Sequence, residues 1–277
     1  MLKISIQRLV SQQLAKIQFK EPGDVVTWMG ALQAQDYSGA KWSIGLRLSG
    51  VTEEAIEQAI DNKKIIRTWA MRGTLHFVAP TDILWMLDLL APRVISNNAR
   101  RYRELELDEV TFTRSNDVIA KALDSDRQLD RPALVAMLEK KGISAAGQRT
   151  PYLLQRASLD RIIFQGTMRS NNPTFLLLDK SLPKTKPLKR DEALLELALR
   201  YFRSRGPATI QDFLWWSGLS RADANAGLEA IKSELDQETI EGRVYWRARS
   251  PCSSRRHAKA LDERGDKKKS IRQGQFR

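Results

Sequence analysis

TIQDFLWWSGLSRADANAGLEAIKSELDQETIEGRVYW, residues 209–246, is the stretch on which the fold turns. Thr209 has the side chain of a helix N-cap, and "IQDFLWWS" behind it is a short helix that Gly218 stops. Ser220 opens another helix, "SRADANAGLEAIKSEL". The chain then turns β-rich on either side of Glu241-Gly242, the pattern of a hairpin. Upstream, "RDEALLELALRYFRSRG" places Leu194, Leu197, Ala198, Tyr201 and Phe202 on one helical face, and Gly206-Pro207 ends that run. Three helices, the middle one short and followed by a glycine turn, and then a hairpin make a winged helix-turn-helix.

The same order can be read twice more, with little identity between copies. Residues 115–189 hold "SNDVIAKAL", "RPALVAMLEKKG" and "QRTPYLLQRASLDR" as helices, then strands "IIFQG" and "TFLLLD" around the loop "TMRSNNP". Residues 1–114 are looser: "ISIQRLVSQQLA", an apolar helix "DVVTWMGAL" expected to run into "QAQD", "TEEAIEQAIDN", and a β-rich "KIIRTWAMRGTLHFV". A further helical segment, residues 80–105, bridges the first two copies. The third copy spans 190–246. The expected fold is therefore mostly α with short β-hairpins (α+β), built as three tandem winged helix-turn-helix motifs.

Composition narrows the function classes. The 277 residues include one cysteine and two histidines, which excludes a disulfide framework and a Cys/His zinc cluster; no metal and no cofactor is expected. No apolar run approaches the roughly 20 residues of a membrane span. "MLKISIQRLVSQQLAK" lacks the apolar core of a secretory signal, so a cytoplasmic location is expected. The formal charge of +13 is uneven. Residues 247–277 carry 11 Lys/Arg against 3 Asp/Glu, whereas residues 1–246 carry 35 against 30. With 7 hydrophobic residues in 31, that last segment has the composition of a basic, disordered tail. Three winged helices point to nucleic acid, and a basic tail adds sequence-independent phosphate contacts.

Four blocks sharpen this: "GALQAQDYSGAKWSIGLR" (30–47), "RTWAMRGTLHFV" (67–78), "GQRTPYLLQRASLDRII" (147–163) and "RYFRSRGPATIQDFLWWSGLSRADA" (200–224). In kind and order they resemble the AlkZ/YcaQ-like DNA glycosylases, over about residues 5–246. The resemblance implies three winged helices forming a C-shaped body around a DNA channel. It implies hydrolysis of the N-glycosidic bond of N7- or N3-alkylated purines in duplex DNA, with crosslink unhooking in some members. The family's motif of two polar residues separated by one falls on Gln33-Ala34-Gln35, which the resemblance makes catalytic. Family members continue past the third hairpin with further structured sequence, so the C-terminal part is atypical here.

An amide cannot act as an ordinary general base near neutral pH. An alkylated purine is already cationic and leaves neutral, so the site has only to place water and aim an acceptor dipole at the sugar cation. Gln33 and Gln35 can do both, with possible electrostatic support from Asp36. On a regular helix residues two apart diverge, so the two amides converge only if the helix ends there. Alternatively, both amides merely satisfy backbone groups at a helix terminus. If "RTWAMRGTLHFV" is one strand, Arg72, Thr74 and His76 share a polar face, and Arg72 and His76 become DNA-binding candidates; a turn at Gly73 would break that parity. Arg149 and Arg156 are further phosphate candidates. Trp215-Trp216 reads either as a base-stacking element or as core. No lysine lies in the motif, so a monofunctional enzyme is expected, and without a long dimerisation helix in the sequence a monomer is expected. A non-catalytic DNA-binding regulator is the alternative, and a protein-interaction scaffold a third; a regulator would usually dimerise on a symmetric site.

Overall fold

The computed structural model describes residues 4–124, 128–169, 172–183, 185 and 187–249. Most of the basic segment expected from residue 247 onward lies outside them. Its first residues do not begin a tail: the last strand continues through Ala248, paired there with Leu235.

The 190–249 region follows its sequence closely. Helix α10 (Arg190–Arg205) stops at Gly206, α11 (Ile210–Ser217) is capped by Thr209 and ended by left-handed Gly218, and α12 (Arg221–Ile231) is capped by Ser220. Strands β7 (Leu235–Ile240) and β8 (Arg243–Ala248) turn at Glu241-Gly242, both at positive φ. Ala208, just before the cap, pairs with Trp246 of β8.

That order of helix, short paired segment, helix, helix and hairpin recurs. In the N-terminal region it is α2 (Pro22–Met29), β1 (Ala31–Gln33), α3 (Tyr37–Gly45), α4 (Glu53–Asp61), β2 (Ile66–Met71) and β3 (Thr74–Val78), preceded by α1 (Ile4–Ser11). In the central region it is α6 (Glu109–Ala122), β4 (Leu129–Asp130), α7 (Arg131–Lys140), α8 (Arg149–Leu159), β5 (Ile163–Arg169) and β6 (Asn172–Leu177), followed by α9 (Leu178–Ser181). The 22-residue α5 (Ile83–Glu104) joins the two. Two regions have an apolar core of their own, and the third shares one with α5 and with residues of the first two, such as Ile66 and Phe164. Val26, Ile44, Ile60 and Phe77 fill the first; Phe112, Ile119, Leu138 and Phe175 the second; Leu197, Phe202, Phe213 and Ile231 sit with α5 in the third.

The structure corrects or completes the sequence reading at four places. The helix of "DVVTWMGAL" ends at Met29, because Gly30 adopts φ 70°, and the next residues enter a strand instead of running into "QAQD". Helix α3 was not expected; its two glycines weaken the periodicity that would have revealed it. "RTWAMRGTLHFV" is not one strand: Arg72 (φ 53°) and Gly73 (φ 72°) form the two-residue turn of a hairpin whose twist suits its strands. Finally, β5 and β6 extend into "TMRSNNP" as far as the Arg169–Asn172 pair.

The first two hairpins join into one antiparallel sheet, ordered β1-β3-β2-β5-β6-β4. Its central junction is the pair Arg67–Gln165. One cross-strand row runs Leu32, Phe77, Arg67, Gln165, Phe175, Leu129. The row reads the same from either edge except at its centre. Arg67 lies four residues before Met71 at the tip of its hairpin, and Gln165 four before Arg169 at the tip of the other. The two hairpins are thus related by a local two-fold axis passing between Arg67 and Gln165.

Candidate active site

The helix after the short paired segment is capped by a side-chain oxygen in all three regions. Asp130 Oδ1 accepts from Ala133 N at 3.0 Å, Thr209 Oγ1 from Asp212 N at 3.1 Å, and Asp36 Oδ1 from Gly39 N at 3.1 Å. In the central region the paired Asp130 is itself the cap; in the third, Thr209 directly follows paired Ala208. Only in the first do extra residues, Ala34 and Gln35, stand between paired Gln33 and the cap. The carboxylate of "QAQD" is therefore helix chemistry, while Gln33 precedes an insertion in the repeat and Gln35 belongs to it. This also corrects the premise of a helix terminus: Gln33 ends a strand and Gln35 is in the loop after it.

The insertion opens onto two cavities. Gln33, opposite His76 in the sheet, lines one of 460 Å³ together with Arg72, His76, Arg205, Trp215 and Trp216. Gln35 lines the other, of 480 Å³, with Arg67, Trp69, Asn98, Arg131, Tyr152 and Gln155. Arg72 borders both, so the hairpin turn forms the ridge between them. That ridge is tied on both sides. Arg72 Nη1 donates to Trp215 O at 2.7 Å, and Gln155 Nε2 donates to Gly73 O at 2.9 Å while its Oε1 accepts from Asn98 at 2.8 Å.

The two glutamines are held differently. Leu75 N donates to Gln35 Oε1 at 3.2 Å. A backbone N–H can only donate, so this contact fixes the amide orientation: Oε1 keeps one free lone pair and Nε2 both protons. Gln33 is exposed in the first cavity, and its amide can turn. Beside it His76, 1 % exposed, donates from Nδ1 to Thr74 O at 2.9 Å, because a carbonyl only accepts; neutral Nε2 is then an acceptor. Burial, aided by Arg72 and Arg205, pushes His76 down to about 4 and keeps it neutral near pH 7.

The main chain of the loop is gripped from below. Arg205 donates to Met29 O and Ala31 O, both at 2.7 Å, with its guanidinium against Trp216. Arg67, 5 % exposed, donates to Ala34 O at 2.8 Å and Gln35 O at 3.4 Å.

Residues 26–264 match the profile of the family described as DNA glycosylase AlkZ-like, most of the chain's length. The chain belongs to the AlkZ-like DNA glycosylase family. Among its relatives is the interstrand DNA cross-link repair glycosylase of Streptomyces sahachiroi, 28% identical over 253 residues, which cover 82% of this chain and 65% of that protein. The chain therefore matches just under two thirds of the length of this relative. The solved structure of the Streptomyces sahachiroi DNA glycosylase AlkZ shares the fold, with a TM-score of 0.72 at 24% identity over 92% of this chain and 70% of that one.

The other residues singled out from the AlkZ-like blocks lie elsewhere. Arg149 Nε donates to Ser144 O at 2.8 Å and its Nη1 to Leu105 O and Glu106 O, so it ties α8 to the end of α5. Arg156 is 9 % exposed and bonded by both ends to Glu109 and Asp160. Burial alone would lower its pKa, but the two carboxylates raise it well above the ordinary value. Both guanidiniums make framework contacts: Arg156 is engaged at all three nitrogens, and Arg149 at Nε and Nη1. The tryptophan pair divides: Trp216 packs on Tyr201 and Phe213, whereas Trp215 is 69% exposed on the rim of the first cavity. Sequence reading passed over Arg67, Gln165, Arg205, Asn98 and Gln155. For two of them a signal existed: a charge inside "IIRTWAM" and an amide inside "IIFQG", each interrupting a β-rich apolar run.

Proposed function

We propose that this chain is a monofunctional DNA glycosylase that releases N7- or N3-alkylated purines from duplex DNA, including crosslinked purines. The carrying observation is that Gln33 precedes, and Gln35 belongs to, an insertion found in the first of three like regions only, and that the two amides line adjoining cavities. In this reading the three regions are winged helices disposed around the DNA, and the protein acts as a monomer on DNA in the cytoplasm. Family membership and the relative's printed role in interstrand crosslink repair support it.

The chemistry suits the groups present. The C1′–N9 bond breaks with its electron pair going to a base that is already cationic and departs neutral. The sugar is left as an oxocarbenium ion, and water adds to C1′ and yields its proton to solvent. Gln35, fixed by Leu75, offers its remaining carbonyl lone pair and its N–H donors to that water. Gln33 and neutral His76 Nε2 line the neighbouring cavity, so for their acceptors to face the same cation the sugar has to sit at the Arg72 ridge that borders both cavities. Lyase chemistry needs an amine nucleophile, and among the described residues no lysine lines either cavity. Nor do the described residues contain a group of three or more His, Cys, Asp or Glu suited to a metal, and no helix among them is long and apolar enough to cross a membrane.

The test is release of free 7-methylguanine from alkylated duplex DNA by the purified chain, with and without EDTA. Release unaffected by chelation supports the reading. Salt-sensitive duplex binding with no release from any alkylated duplex refutes it in favour of a non-catalytic DNA-binding protein.

A further inference from the structure

We infer that Arg67 and Gln165 form a positioning pair through which the central region of the chain, with no part in the Gln33-Ala34-Gln35 motif, sets the geometry of that motif. The inference rests on the glycosylase reading for its activity arm and on geometry alone for its other arm.

Arg67 is buried, and its hydrogen bonds go to neutral carbonyl oxygens rather than to a carboxylate. Nε donates to Ala34 O at 3.1 Å, Nη2 to Ala34 O and Gln35 O, and Nη1 to Gln165 Oε1 at 2.8 Å. Burial lowers its pKa, as expected for a desolvated cation. A guanidinium held this way is costly unless its donors are well matched, and the matching partners are the two carbonyls of the insertion. Those carbonyls have no counterpart in the central region, where Asp130 is both the paired residue and the cap. The residue at the position equivalent to Arg67 is Gln165, uncharged and 2 % exposed. The asymmetry across the local two-fold axis therefore follows function: the hairpin beside an insertion carries the guanidinium that holds it, and the other carries the acceptor that orients the guanidinium. The Arg67 guanidinium also lies 5.0 Å from the Tyr37 ring, which restricts it further.

Three variants test this: Gln165→Leu, which removes the acceptor; Gln165→Glu, which keeps one; and Arg67→Lys, which keeps the charge but not the fork that spans Ala34 O and Gln165 at once. Two readouts are taken on the full chain below its melting temperature. One is hydrogen exchange of residues 31–36. The other is single-turnover release of 7-methylguanine with a binding titration on the same duplex. For Gln165→Leu and Arg67→Lys, exchange in 31–36 should rise about tenfold or more above that of unrelated segments. The excision rate should fall on the order of 10²-fold, the effect of about 1 Å of misplacement, with duplex Kd held within about threefold. Gln165→Glu should recover most of the rate. Unchanged exchange and rate in Gln165→Leu overturn the pair, as does a loss confined to melting temperature. If the unaltered chain excises nothing, the glycosylase reading fails, and exchange alone decides whether Gln165 holds the loop.

Discussion

Replacing Gln35 separates its two possible jobs. In Gln35→Ala the amide disappears from the cleft, and Leu75 N loses its acceptor at 3.2 Å. The second loss acts on stability. A buried donor left unsatisfied costs about 1–3 kcal/mol, less if water from the cavity replaces the carbonyl. The first acts on the transition state. A preorganised group aimed at developing charge is worth roughly 10²–10³ in rate, about 3–4 kcal/mol. Gln35 meets the requirement for preorganisation because the Leu75 contact fixes which way its amide points. In the glycosylase reading ground-state affinity should barely change, because duplex affinity rests mainly on phosphate contacts and neither role proposed for Gln35 is one.

The decisive comparison adds Gln35→Glu. A carboxylate still accepts from Leu75 N, so stability should return to within about 0.5 kcal/mol of the unaltered chain. The donor protons are lost, and an acceptor of full charge replaces a dipole. If the amide acts through its carbonyl, Gln35→Glu excises far better than Gln35→Ala, because a carboxylate both stabilises the sugar cation and takes a proton from water. If it acts through Nε2, both variants fail alike. The assay is single-turnover release of 7-methylguanine, beside a binding titration and a thermal melt on the same preparations. If the unaltered chain excises and Gln35→Ala excises within about threefold of it, the amide is only a backbone partner for Leu75, and the catalytic assignment is wrong.

His76 should give the folded chain a pH dependence of definite sign. Its folded pKa is near 4 against an ordinary 6.5, so the unfolded chain binds the proton more readily, and stability present above about pH 6.5 is lost as pH falls toward 4. The shift corresponds to about 3 kcal/mol, and chemical denaturation across that window should show the slope in the unaltered chain and lose it in His76→Asn. Arg156→Met should lower stability, because it breaks the links to Glu109 and Asp160, by less than the roughly 3–5 kcal/mol of a fully buried pair, as a chemical denaturation would show. Its DNA-binding salt slope should stay unchanged, and a slope reduced by about one would put Arg156 on a phosphate. Trp215→Ala should leave stability within about 0.5 kcal/mol, as the ring is largely exposed, yet weaken DNA affinity by roughly 1–3 kcal/mol if a base stacks there; equal affinity of the two proteins would remove Trp215 from the DNA interface.

What was legible in the sequence was what depends on neighbours along the chain. Thr209, Gly218, Ser220 and Glu241-Gly242 each dictate local backbone geometry, and the third region follows from them almost residue by residue. The first region resisted for the same reason in reverse. Gly30 and the Arg72-Gly73 turn interrupt runs that read as continuous, so the sequence extends the helix into the strand and leaves one strand or a turn at Gly73 open in "RTWAMRGTLHFV". The motif itself was legible only as a resemblance, because two glutamines carry no periodic or electrostatic signature. The pairing of Arg67 with Gln165 spans 98 residues and depends on a sheet junction that no local pattern specifies. Yet a trace of it was present: a strand core bears a charge or an amide only where partners satisfy it, so Arg67 and Gln165 in two otherwise apolar runs each imply a buried acceptor or donor elsewhere. In a chain made of like units, the sharper question is where one unit departs from the others. Here the departures lie together: an insertion after β1, the guanidinium that holds its carbonyls, and the amide that orients the guanidinium. A repeat kept only for packing has no reason to break its symmetry at three adjacent points that line one cavity.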